Sequence, residues 1–118
     1  MTSFDTAKKI VGALEDLKAK NIKVIKIDTI STLCDYFVIA TGTSSTHVQA
    51  LSDTVEHKLK EAGVLPSRIE GYRSTGWILS DYNSVVLHVF TQEARDFYDL
   101  DRLWSDGEEI DVMKGTDK

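Results

Sequence analysis

The stretch Asp35-Tyr36-Phe37-Val38-Ile39-Ala40-Thr41-Gly42-Thr43-Ser44-Ser45 decides the fold. From Tyr36 to Ala40 it is continuously apolar, the pattern of a strand buried on both faces near the middle of a sheet. Gly42 breaks the strand, and Ser44 or Ser45 supplies the side-chain oxygen that caps a helix start. Val48, Leu51, Val55 and Leu59 then recur at helical spacing, until Gly63 and Pro66, the sole proline, end the helix. Ile69 to Tyr72 reads as the next strand. Strand, long helix and strand form a crossover unit, which lays its strands parallel through a right-handed connection.

Upstream, Phe4, Ala7, Ile10, Val11, Leu14 and Leu17 share one face of a helix. Thr2 or Ser3 caps it, and Asn21 is placed to stop it in a left-handed conformation. Ile22 to Asp28 is β-branched and apolar on both faces, a further covered strand. Downstream, the turn-like segments Arg73-Ser74-Thr75-Gly76 and Tyr82-Asn83-Ser84 bound two strands, Trp77 to Asp81 and Val85 to Phe90. Short turns imply an antiparallel meander. In its last strand Val85, Leu87 and Val89 face one way, and Val86, His88 and Phe90 the other. Thr91 caps a short helix, and Phe97, Leu100, Leu103 and Trp104 follow at a spacing expected to pin the C-terminus onto the fold. The expectation is an α/β single domain over residues 1–104, a mixed five-stranded sheet with flanking helices.

The chain has 118 residues with 14 basic and 19 acidic side chains, a formal net charge of -5. An acidic balance argues against a protein that lives on nucleic-acid phosphates, but leaves a basic protein partner open. From Ser105 onward there are five acids against Lys114 and Lys118, and little to bury. Residues 105–118 therefore read as an acidic, disordered tail. Cys34 is the only cysteine, which excludes an internal disulfide and a cysteine-based zinc site. The N-terminus carries no basic leader followed by an apolar stretch, and no apolar run is long enough to span a membrane. A soluble, reduced, cytoplasmic domain is expected.

Few residues suggest chemistry. His47, His57 and His88 lack the three- or four-residue spacing of a helical metal site, so no metal is expected. No Gly-x-Ser-x-Gly elbow is present, and Cys34 beside Asp35 is a poor nucleophile. The Gly42–Ser45 turn joins a buried strand to a helix start, where backbone N–H groups favour an anion. Nucleotidyltransferases hold triphosphate at such a turn, but they also need paired carboxylates for magnesium. Here Asp28, Asp35 and Asp81 stand singly on the strands. A nucleotide-binding or nucleotidyltransferase-like enzyme using this turn is thus the alternative reading. Arg73, Trp77, Asp81, Tyr82, Arg95 and Tyr98 gather around the meander in the composition of a binding hot spot. His88 is either a hydrogen-bonded, partly buried strand residue or a polar handle on an exposed face.

Asp35-Tyr36-Phe37-Val38-Ile39-Ala40-Thr41-Gly42, followed by Ser44, Ser45, His47 and Val48, resembles the ribosomal silencing factor (Iojap) family. The resemblance continues through Glu70-Gly71-Tyr72, Trp77, Asp81, Val85 to Phe90 and Glu93, and closes on Arg95, Tyr98, Leu100 and Leu103-Trp104. It departs from the family at Thr46 and Asn83-Ser84. The resemblance implies a nucleotidyltransferase-like fold without the catalytic carboxylates, with no enzyme activity, catalytic residue or cofactor. It implies binding to the large ribosomal subunit through ribosomal protein fourteen, which blocks subunit joining and represses translation; mitochondrial relatives act in large-subunit assembly. The contact residues it suggests are Trp77, Asp81, Tyr82 and His88, flanked by Glu93, Arg95 and Tyr98. No membrane and no sequence-specific nucleic acid is expected as a partner. The meander's edge and exposed aromatics also offer a surface for a homodimer.

Overall fold

The computed structural model describes residues 1–73 and 76–114. In chain order the elements are α1 (Ser3–Asp16), β1 (Lys20–Lys26), β2 (Tyr36–Gly42), α2 (Ser45–Glu61) and β3 (Arg68–Glu70). They continue with β4 (Trp77–Asp81), β5 (Val85–Thr91), α3 (Gln92–Tyr98), α4 (Leu100–Leu103), β6 (Glu108–Ile110) and a 3-10 turn at Val112–Lys114. The sheet is mixed and six-stranded, in the order β3-β4-β5-β2-β1-β6. β2 and β5 run parallel, Val38 opposite Leu87, and the other neighbours are antiparallel.

α1 starts where expected. The Thr2 hydroxyl accepts from the Asp5 amide, and the Asp5 carboxylate reaches back to Thr2. Its end differs from expectation. Lys18, at φ 61°, takes the left-handed position, and the Ala19 amide donates to the Leu14 carbonyl. Asn21, also left-handed, lies inside β1 at a break in register between Lys20 and Lys23. α2 follows the sequence reading, with Ser44 as cap and Gly63 left-handed beyond its end.

All seven residues of β2 are buried. On one face α1 and α2 pack against Val38, Ala40, Val85, Leu87, Val89 and Ile78. On the other, Ile25, Phe37, Ile39 and Phe90 meet Leu100 and Trp104. Gly42 is fixed by this packing, since a Cβ there would sit 2.9 Å from the Val48 side chain.

Two expectations are corrected. The strand predicted over Ile69 to Tyr72 is parallel to β2 in direction, but β4 and β5 lie between them. β5, though later in the chain than β3, takes the place beside β2, because it buries both faces and β3 does not. The tail from Ser105 is not free chain across its described part: β6 pairs with β1, Ile25 opposite Glu109, and makes the sixth strand. Val112 is 1% exposed in the α1 face of the core. The ladder pairs Glu108–Ile110 with β1, and Ile110 and Val112 add the apolar contacts that join the segment to the core. Residues 115–118 lie outside the described residues. We expect Val112→Ala to lower unfolding stability by about 1–2 kcal/mol in urea denaturation, and the exposed Met113→Ala to leave it unchanged.

Candidate functional site

Among the described residues, the sheet face opposite α1 and α2 is only half covered. Over β1 and β2, Trp104 lies edge-on to Phe37 with ring centroids 5.0 Å apart. Toward β4 and β3 the cover thins. Register puts Trp77, Leu79 and Asp81 on this face, opposite Phe90, His88 and Val86, with Glu70 and Arg68 beyond them on β3. Trp77 and Leu79 are half-buried.

An aromatic array crosses the face. Trp77 stacks on Phe90 at 5.0 Å and meets Tyr98 of α3 at 4.6 Å. Its indole N–H donates to His88 Nδ1 at 3.2 Å, which leaves the His88 proton on Nε2. Nε2 is buried and, among the described residues, has no partner. Burial lowers the His88 pKa from the usual 6.5 to about 4, so the ring is neutral at physiological pH.

α3 and α4 are locked in place by Arg95. Its Nε and Nη2 form a fork to both oxygens of Asp101, at 3.1 and 2.9 Å. Nη1 donates to the Asn21 carbonyl and to the Thr41 hydroxyl, 2.6 and 2.9 Å away. Lys23 Nζ adds a contact to Asp101 at 3.1 Å. Hydrogen bonding to Arg95 pulls the Asp101 pKa down to about 2. Held this way, α3 and α4 turn Phe97, Tyr98 and Leu103 outward, at 82%, 48% and 69% exposure. Between α3, the start of α2 and Trp77 lies an open groove of about 880 Å³ that includes Glu93, Ser45 and Phe97.

Trp77, His88, Tyr98 and Glu93 are therefore brought together, with His88 beneath the surface rather than on it. Asp81 stands at the far end of β4, where it accepts from the Asn83 amide at 2.8 Å and pairs with Arg68 at 3.5 Å. Two predicted contacts are corrected. Tyr82 packs into the α1 and α2 side of the core at 4% exposure, where strand alternation past Ile78 and Ser80 directs it. Arg95 is 8% exposed and spends its donors on the clasp. The expected stripe Phe97, Leu100, Leu103 and Trp104 is split, because Asp99 is left-handed and restarts the helix. Leu100 and Trp104 turn inward, Phe97 and Leu103 outward. Leu79, Glu70, Phe97 and Leu103 are the face residues that sequence reasoning missed.

The Gly42–Ser45 turn spends its groups on itself. The Thr43 amide donates to His47 Nδ1 at 2.8 Å, and the His47 amide to the Ser44 hydroxyl at 3.1 Å. His47 Nε2 is 2.8 Å from the Leu17 carbonyl and ties α2 to the end of α1.

The family model for ribosomal silencing factor during starvation matches residues 1–118. The chain belongs to the ribosomal silencing factor family. It is 32% identical to ribosomal silencing factor RsfS of Bacillus subtilis over 118 residues, all of both chains. It resembles a crystal structure of a Chromobacterium violaceum protein with a TM-score of 0.87 and 38% identity, over 94% of this chain and 92% of that one. A longer mouse protein named for mitochondrial assembly of the ribosomal large subunit is 33% identical over 81% of this chain and 43% of its own length.

Two outcomes follow from the geometry. Arg95→Ala strands the Asp101 carboxylate, the Thr41 hydroxyl and the Asn21 carbonyl, and should cost about 2–4 kcal/mol in chemical denaturation. His88 resists protonation in the fold and accepts it when unfolded. Stability should therefore fall as pH drops from about 6.5 to about 4, by about 3 kcal/mol. In His88→Leu that contribution to the slope should vanish.

Proposed function

We propose that this chain is a non-catalytic translation regulator of the cytoplasm that binds the large ribosomal subunit and keeps the small subunit from joining. Membership of the silencing factor family carries the reading, and the half-covered sheet face supports it with a surface of the right kind. The contact we propose is ribosomal protein fourteen, met by Trp77, Tyr98 and the outward Phe97 and Leu103. Aromatic and aliphatic anchors supply the desolvated centre of an interface, and acids at its rim steer a basic partner. About 800 Å² on each side suffices for a stable complex. A net charge of -5 makes bare RNA the poorer target. The same occupancy serves large-subunit assembly, in keeping with the name of the mouse relative. A second copy of the chain would compete for the same face.

The rival reading, a nucleotide site at Gly42–Ser45, gains no support from a turn whose Thr43 amide is already taken by His47. Calorimetric titration with nucleoside triphosphate and magnesium should show no micromolar binding. Sucrose gradients with added protein should show fewer joined ribosomes and a protein peak with the large subunit. Trp77→Ala should weaken that association by about 2 kcal/mol while the variant stays folded. Sedimentation with the small subunit alone would sink the proposal.

A further inference from the structure

Beside Trp77 the open face dips into a notch of about 290 Å³ lined by Glu70, Gly71, Trp77, Leu79 and Tyr98. We infer that this notch receives one cationic side chain, a lysine or arginine, from the protein that docks on the face. The inference rests on the reading that the half-covered sheet face is the contact surface.

The chemistry of the lining selects the occupant. Trp77 and Tyr98, in contact with each other at 4.6 Å, present two π systems at its wall, and an aromatic face attracts a cation within about 6 Å of the ring centroid. Leu79 gives the long alkyl stem of a lysine or arginine an apolar surface to lie on. Glu70 places a carboxylate in the lining, where the charged end of that stem would finish. An apolar visitor would gain nothing from Glu70 beyond its pair with Arg68, and an anionic one would be repelled by it.

Arg68 does not cancel this charge. Its Nη1 is 3.2 Å from Glu70 and its Nε 3.5 Å from Asp81, so one guanidinium is shared by two carboxylates. One negative charge on the strip remains for the partner. Glu70 and Arg68 are more than half exposed, so their pair is a weak surface contact that a closer, desolvated cation displaces. The rigid parts of the notch are its aromatics: Trp77 is fixed by its bond to His88, and Tyr98 by the clasp that positions α3. The notch is therefore preformed before the partner arrives, and little ordering is needed to fill it.

The test is co-sedimentation of the full chain with isolated large ribosomal subunits across a potassium chloride series. Glu70→Gln should weaken binding about three- to tenfold at low salt and flatten the salt dependence, because one charge pair is gone. Trp77→Leu keeps an apolar side chain but removes the π face, and should weaken binding about tenfold, whereas Trp77→Phe should recover part of the loss. Glu70→Asp should bind better than Glu70→Gln. Thermal unfolding of each variant separates loss of binding from loss of fold, and Glu70, being exposed, keeps the test open if Trp77→Leu unfolds. If the parent binds and Glu70→Gln and Trp77→Leu bind equally well at every salt concentration, the notch is not a cation site, though the docking face survives. If the parent itself does not sediment with large subunits, the docking reading fails first.

Discussion

A strand buried along its whole length must be covered on both faces, and β2 imposes that demand on everything around it. α1 and α2 meet it fully on one side, with a continuous apolar cluster. On the other side, among the described residues, α3, the single turn of α4 and Trp104 supply the cover. They reach across β1 and β2 and leave the β4 and β3 end uncovered. The candidate site is that shortfall: aromatic and aliphatic side chains which belong to the second core but lack a lid.

The clasp at Arg95 decides where the cover stops. A buried ion pair is weak evidence for stability, since desolvation offsets much of its attraction. Its value here lies in geometry. One guanidinium binds the start of β1 through Asn21, the end of β2 through Thr41 and α4 through Asp101. Three segments distant in sequence thereby fix the angle at which α3 crosses the sheet, and with it the meeting of Tyr98 and Trp77. Position of the surface aromatics depends on a residue that is itself buried.

The sequence was informative wherever periodicity and burial agree. The continuous apolar run of β2, the alternation of β5 and the caps at Thr2, Ser44 and Thr91 each stand in the structure. Sheet order was less legible. Chain neighbours suggest adjacency, yet β5 displaces β3 from β2 because only β5 is apolar on both faces. β6 was missed because Ile110 and Val112 among acids give no periodic signal, while the ladder to β1 depends on backbone alone. Alternation continued one residue past β4, from Ile78 and Ser80, assigns Tyr82 to the helix side. Burial of Arg95 was not: its carboxylate partner lies past a left-handed break at Asp99, which no local pattern announces. Residue type found Trp77 and Tyr98, but the outward turn of Phe97 and Leu103 needed the fold.

The central claim is that the half-covered face, and not the α1 and α2 side, is the contact surface. Amide hydrogen exchange of the free chain against the chain bound to isolated large subunits tests it most directly. The account predicts new protection confined to residues 68–73, 76–81 and 92–104, with the exposed sides of α1 and α2 exchanging as before. Protection spread over α1 and α2, with those segments unchanged, would contradict it.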